Sequence, residues 1–404
     1  MSEPALLPAA LATTGAEATS QNSDSLAGAQ AVPKVSIIVP VYNTAQYFRP
    51  CLDSAIGQTL QDIEIIVIDD ASTDGSLQII REYAQIDTRI KVIAFTANQG
   101  NGYGRNEGLR QAKGEYILFL DSDDWLEPDT AEAAFEKAKN NSHDVVLYGH
   151  MAHYIGTKTA RKKKFLPLLD DGDPEFFRHL LQLRKDLCCM PWQYLVARSL
   201  LRDKAILFSE GIYFEDFFFT IKTAYHTQNI GVLKRPLYHY RQRTGSITAS
   251  ASKKKIADMF TALSLIKTFL QSEGVYRRYQ REYLICFLAH GVCYNFLDYW
   301  KLSKQERDAE LDEYMRNLRT GKLVCQESVS LFSVALAGLD KEEKRTKSVY
   351  TMCRKMLGYL VNDYYLFSIN YRLAFWIRRT IQRLREWPRQ AQWLKVRPFL
   401  PLRP

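Results

Sequence analysis

Two groups of carboxylates each follow an apolar run: Asp69, Asp70 and Asp74 in "IVIDDASTD", and Asp121, Asp123 and Asp124 in "LFLDSDDW". Aspartate favours turns and helix caps, so either group alone reads as well as local structure as it does as a site. Both together are harder to explain that way. Like charges held within about 4–6 Å raise one another's pKa or require a cation, and Mg2+ or Mn2+ is the simplest ion for an all-oxygen site. Such ions keep coordination positions open for substrate phosphates, which makes a nucleoside diphosphate a candidate ligand.

These acids must be placed by the elements before them. "VSIIVPVY" reads as a strand, and "YFRPCLDSAI" sets Phe48, Cys51, Leu52, Ala55 and Ile56 at helical spacing. "EIIVID" is a second strand, and "SLQIIREYA" is a helix with Asp74 as its cap. "KVIAF", a helix over 102–112, "YILFL", a helix from about Pro128 and "DVVLYG" continue the alternation. The strands are too apolar to have a wet face, which predicts an α/β fold with a mostly parallel sheet sandwiched by helices. Ligands of such sheets bind beyond the carboxyl ends of the strands, where both acid groups fall.

A competing motif is the glycine run of "NQGNGYGRNEG". A dinucleotide fingerprint needs a glycine where this chain has Arg105, and it should follow the first strand. No GxxxxGK[ST] loop occurs, so P-loop chemistry has no support.

Composition sets wider bounds. The 404 residues, 46% hydrophobic and 25% charged, describe a globular protein with room for two domains. Residues 1–33 contain no Lys or Arg and read as a flexible tail, not a cleaved leader. The seven cysteines show no CxxC spacing, which fits reduced thiols in the cytoplasm better than disulfides or a zinc framework. No apolar window of about 18 residues is present, so no transmembrane helix is expected.

With "VSIIVPVYN", "IVIDDASTDGS", "NQGNGYGRNEGL", "GEYILFLDSDDW" and "YFEDFFF" in this order, the chain resembles the family 2 inverting glycosyltransferases of GT-A fold, in particular bacterial enzymes that build surface polysaccharides. The likeness spans about 35–248. It implies a glycosyltransferase domain over 34–249, with a nucleotide-binding half at 34–150 and an acceptor half at 151–249, followed by a helical, basic C-terminal region at 250–404. It places Pro40, Val41, Tyr42 and Asn43 in a uridine pocket, with Tyr42 alongside the base. Asp70 would accept from the uracil N3–H, supported by Asp69. "DSD", Asp121 to Asp123 with Ser122 between, matches the family's DxD motif. In that motif the last acid binds a divalent metal, Mn2+ or Mg2+, and the first lies near the ribose or the metal.

The resemblance further implies that Arg105 and Asn106 contact sugar or phosphate, although relatives usually carry Ala where this chain has Gly104. It makes Asp216, paired with Glu215, the catalytic base, and it sets His239, Arg241 and Arg243 of the closing loop against the diphosphate. Burial among Phe214, Phe217, Phe218 and Phe219 would raise the pKa of Asp216; the bland alternative is a core helix with solvated acids. Trp192 is a candidate acceptor platform or a core residue. His143, His150 and His153 read as loop histidines, since HxxH on a strand end is no metal signature.

Residues 341–404 hold 15 Lys/Arg against 4 Asp/Glu, a surplus larger than the net +9 of the whole chain. In "INYRLAFWIRRTIQRLREW" the apolar residues Ile369, Leu373, Trp376, Ile377, Ile381, Leu384 and Trp387 form one helical stripe flanked by arginines. Such a helix suits the anionic inner face of a membrane, or packs on the catalytic domain. No nucleic-acid module is recognised.

The expected activity is metal-assisted, inverting transfer of a sugar from a nucleotide-diphosphate donor, UDP-linked, to a hydroxyl of a surface glycan or lipid-linked acceptor. The competing functions are a nucleotidyltransferase on a similar sheet and a catalytically silent glycan-binding or scaffold protein.

Overall fold

The computed structural model describes residues 32–154, 161–182, 187, 189–242, 252–287 and 290–291. Strand and helix alternate first: β1 (Val35–Val41), α1 (Ala45–Ile56), β2 (Ile63–Asp69), α2 (Ser76–Ile86), β3 (Ile90–Ala94), α3 (Asn101–Gln111) and β4 (Tyr116–Phe119). Every residue of β1, β2 and β4 is buried, which is why their sequences are apolar runs without alternation. There follow β5 (Trp125–Leu126), α4 (Thr130–Asn140), β6 (Val145–Tyr154), β7 (Arg161–Phe165), α5 (Phe176–Leu181), β8 (Tyr194–Ala197) and α6 (Arg198–Asp203). The last elements are α7 (Glu215–His226), β9 (Ile230–Gln242), α8 (Lys253–Ser272) and α9 (Tyr276–Phe287).

Among the described residues nine strands form one sheet in the order β3-β2-β1-β4-β8-β6-β9-β5, with β7 on β6. β1 pairs in parallel with both β2 and β4, and β2 with β3. Beyond β4 the sheet becomes mixed, because the short β8 inserts antiparallel between β4 and β6. "DVVLYG" is therefore the start of β6, as expected, but it lies one strand away from β4.

Register fixes the acids. Val41 lies opposite Asp69, and Ile38 opposite Phe119, so β2 and β4 both end beside the end of β1. Asp70 donates its backbone N–H to Val41 C=O (2.8 Å), and Leu120 donates to Ile38 C=O (3.0 Å). The two acid groups emerge at the same carboxyl end of the sheet, from the strands on either side of β1.

Helix α8 packs along α7, with the Phe269 ring edge-on to Phe218 and Tyr225. Its Leu263, Ile266 and Leu270 join the same hydrophobic core as the sheet. Among the described residues no helix is long and apolar enough to cross a membrane. Arg243, the stripe from Ile369 to Trp387 and residues 1–31 lie outside the described residues.

Candidate active site

Asp121 to Asp124 form a tight turn closed by the Asp124 N–H on Asp121 C=O (3.0 Å). Asp121 and Asp123 are partly exposed, whereas Asp124 is 1% exposed. The Asp124 carboxylate accepts from the Arg241 N–H (2.6 Å) and from the Tyr238 hydroxyl (2.8 Å), so it fastens the turn to β9. Burial, with Asp123 and Asp121 close by, pushes its carboxyl well above the usual range. The same Tyr238 oxygen accepts the Asp121 N–H (3.2 Å). Of the three acids in "DSDDW", two are partly exposed and the third, buried, fastens the turn. Ser122 is buried and accepts from the Thr44 hydroxyl (2.9 Å), so it anchors the turn to the loop after β1.

Arg105 joins the acid turn to the start of α7. It is 4% exposed on α3, and its guanidinium donates to Asp121 Oδ1 (2.8 Å) and to Glu215 Oε1 (2.7 Å) while lying over the Phe208 ring. Burial opposes its charge, but Asp121, Glu215 and Asp216 outweigh that and hold its pKa above the ordinary arginine value. One protein cation is thus the shared partner of both acids.

Glu215 and Asp216 open α7 at the end where a helix favours negative charge. Glu215 is committed to Arg105. The Asp216 carboxyl is pushed up to about 8 by burial and by Glu215, against the pull of Arg105. That places a proton acceptor near neutrality beside the DxD turn.

The approach of α3 to α7 needs glycine. A Cβ on Gly102 would lie 2.3 Å from Ser209 O and 3.3 Å from Glu215 Cβ, and one on Gly108 would strike Ile38. On Gly104 a Cβ would meet Ile68 at 3.7 Å, an ordinary contact. Close packing therefore explains Gly102 and Gly108 of "NQGNGYGRNEG", a left-handed φ of 86° explains Gly100, and Ala would fit at residue 104.

Asp70 is 4% exposed, and its carboxylate accepts the N–H groups of Gln99 (2.6 Å) and Gly100 (2.8 Å) ahead of α3. Asp69 receives the Ser72 N–H on Oδ2 (3.2 Å), while its buried Oδ1 has no hydrogen-bond partner among the described residues. Pro40 and Val41 are buried within β1, and Tyr42 is 45% exposed at its end. Asn43 takes a left-handed φ of 51° and accepts the Thr73 N–H (2.8 Å). Asp74 serves two helices, accepting from Ala45 N–H at the start of α1 and Ser76 N–H at the start of α2.

Three expectations change and one is narrowed. Asn106 is 1% exposed, and its amide donates to Phe208 C=O and Glu210 while accepting the Phe208 N–H; it braces the 208–210 segment and leaves no group for a ligand. Trp192 is 2% exposed and stacked on Tyr238 (4.2 Å, 9°), which makes it core and not an acceptor platform. His239 has both ring nitrogens engaged, with Glu127 Oε1 (2.7 Å) and His153 Nε2 (2.8 Å), and stacks on Trp125, so the protein already occupies what a diphosphate would need. His150 and His153 belong to β6 and not to a loop. Arg241 stays at the turn: its Nε donates to Asp123 C=O (2.7 Å), and its guanidinium lies over the rings of Tyr47 and Trp125.

Tyr238, Tyr47, Trp125 and Thr44 went unpredicted. Trp125 directly follows the acids, and "LYHYR" alternates Tyr238 and Tyr240 onto one strand face, but only the sheet order brings β9 to β5. Among the described residues no three His, Cys, Asp or Glu side chains gather as a ready cage for a metal. Asp121 and Asp123 supply hard oxygen donors on one accessible turn. That set fits Mg2+ or Mn2+ with the remaining positions filled by water and substrate oxygens.

Residues 36–203 match the family described as glycosyl transferase family 2. The putative glycosyltransferase EpsH of Bacillus subtilis is 33% identical over 310 residues, covering 76% of this chain and 87% of its own. The cholesterol galactosyltransferase of Borreliella burgdorferi is 30% identical over 266 residues, covering 63% of this chain and 72% of its own. Among solved structures, S. aureus TarS 1-349 in complex with UDP-GlcNAc superposes with a TM-score of 0.55 at 24% identity, covering 79% of this chain and 90% of that one. The fold is of the GT-A type.

Proposed function

Because the chain belongs to glycosyl transferase family 2, we propose that it transfers a sugar, with inversion, from a UDP-linked donor to a hydroxyl of a bacterial surface glycan or lipid-linked acceptor. The observation that carries this is the bridge made by Arg105: one guanidinium ties the DxD turn to the helix that begins Glu215-Asp216. Donor and base sites then share one cleft.

Asp216 accepts the proton of the acceptor hydroxyl as its oxygen attacks the anomeric carbon. The bond from that carbon to the diphosphate breaks on the opposite face, and the nucleotide leaves with the electron pair. Glu215 keeps Arg105 in place and is not itself the base. Asp121 and Asp123 would hold Mn2+ or Mg2+, which when bound stabilises negative charge on the leaving diphosphate. Arg241, fixed at the Asp123 backbone, adds a cation to that end of the cleft. Tyr42, Asn43, Asp69 and Asp70 are assigned to the nucleoside, with Asp70 accepting from the base through the lone pairs its backbone donors leave.

The complex of TarS with UDP-GlcNAc supports the choice of a UDP donor. The basic stretch over 341–404 suits peripheral contact with the inner face of the plasma membrane, where a lipid-linked acceptor would be met. Thermal stabilisation by UDP-glucose, UDP-galactose and UDP-N-acetylglucosamine, each with and without Mn2+, tests the donor class, because a ligand bound only by the folded state raises its melting point. Stabilisation by at least one UDP-sugar, larger with Mn2+, is expected. No response to any of them, or one indifferent to the metal, contradicts the proposal.

A further inference from the structure

We propose that Asp258 and Lys254 of α8 form a clasp that positions Asp216, by fixing the segment 209–214 from which α7 starts. This rests on Asp216 being the base. The residues of the clasp lie beyond the family match at 36–203.

Asp258 Oδ2 accepts the Tyr213 N–H (2.8 Å). Lys254 donates to that same oxygen (2.5 Å) and to Gly211 C=O (2.8 Å), so two side chains one helical turn apart grip two backbone groups of the segment. The segment requires such a hold. Gly211 sits at φ 75°, and Phe214, the residue immediately before α7, takes a left-handed φ of 63°. For a residue with a Cβ this conformation is strained, and it persists only where the surroundings enforce it. Residue 209 also abuts α3, where a Cβ added to Gly102 would lie 2.3 Å from Ser209 O. The clasp and α3 thus both hold the segment.

The sequence of α8 points the same way. Its first turn opens with Lys253, Lys254 and Lys255 and contains no acid, although cations are disfavoured at a helix N-terminus. Lys254 lies over the Tyr213 ring, and Lys255, 2% exposed, lies over the Phe214 ring. A placement unfavourable to the helix itself is explained by what those lysines hold.

The test uses the full chain, with Asp258→Ala, Asp258→Asn and Lys254→Met set beside Asp216→Asn. Three quantities are read: amide exchange over 211–216, UDP affinity with Mn2+ by calorimetry, and turnover of the UDP-sugar selected by thermal stabilisation. In Asp258→Ala we expect exchange over 211–216 to quicken at least about tenfold. Turnover should fall by about ten- to a hundredfold, the cost of a misplacement near 1 Å, with UDP affinity unchanged. Asp258→Asn keeps an oxygen for the Tyr213 N–H and should recover most of the activity. Lys254 is 56% exposed, so Lys254→Met should fold even if Asp258→Ala does not, and should show the same pattern at smaller amplitude. Unchanged exchange over 211–216, unchanged turnover, or a loss of UDP affinity that matches the loss of turnover overturns the clasp. Full turnover in Asp216→Asn overturns the base assignment instead, a separable result.

Discussion

Arg105 and Glu215, 110 positions apart in the chain, are joined by a 2.7 Å ion pair, and the other arm of the same guanidinium holds Asp121 at 2.8 Å. Removing the cation would leave Glu215, 12% exposed, and the partly exposed Asp121 without compensation. Losing one partner of a buried pair costs about 3–5 kcal/mol, so Arg105→Met should lower the denaturant midpoint strongly. Arg105→Lys has one ammonium where two arms are needed, and should retain the fold while losing most turnover. Urea unfolding and donor turnover of the two variants check this; a near-normal Arg105→Lys enzyme would show that the bridge is dispensable.

The glycines of α3 allow a paired test. Gly104→Ala meets ordinary contacts and gains helix propensity, so stability should hold or rise by up to about 1 kcal/mol with activity intact. Gly102→Ala places a Cβ where Ser209 C=O now sits and must displace the segment leading to Asp216. A loss of about a hundredfold in turnover is expected from a shift near 1 Å. Equal behaviour of the two variants in melting and turnover assays would refute this account of the glycine run.

The raised pKa of Asp216 sets two pH dependences. As a base it becomes competent on losing its proton, so kcat/KM should rise with pH up to a limb near 8, and Asp216→Asn should remove the limb. Stability runs the other way. Between the ordinary carboxyl value and about 8 the folded chain keeps a proton that the unfolded chain releases, so the contribution of Asp216 falls as pH rises through that window. Melting followed from pH 5 to 9 in wild type and in Asp216→Asn should show a decline that is shallower in the variant. Parallel curves would mean that Asp216 titrates normally.

The three acids of the turn should separate by function. Asp123→Ala should abolish Mn2+ activation while the fold holds, because that acid is accessible. Asp124→Asn keeps an acceptor for the Arg241 N–H and removes a charge that burial disfavours, so it should retain Mn2+ activation. Asp124→Ala should cost about 1–3 kcal/mol, the penalty for buried donors left unsatisfied. Mn2+ titrations of turnover distinguish these outcomes.

Much of this was legible in the chain, for reasons that differ by element. β1, β2 and β4 are buried throughout, so composition alone exposed them to within a residue or two. The acids at their ends followed from the rule for parallel sheets. β8 escaped notice because four residues carry no usable period and its place between β4 and β6 is a long-range choice. The same limit misassigned Asn106 and His239 and left Trp192 open between platform and core: their types suit ligand contact, and only tertiary packing shows that the protein has taken their polar groups or faces. Asp124 was grouped with its neighbours because sequence does not distinguish which carboxylate turns inward.

Donor binding and turnover of Asp216→Asn, measured in the presence of Mn2+, bear most directly on the central claim that acids from separate segments meet in one transfer site. UDP should bind as in wild type while transfer falls by at least about a hundredfold, the loss expected when a general base is removed. Undiminished transfer by Asp216→Asn would contradict that claim.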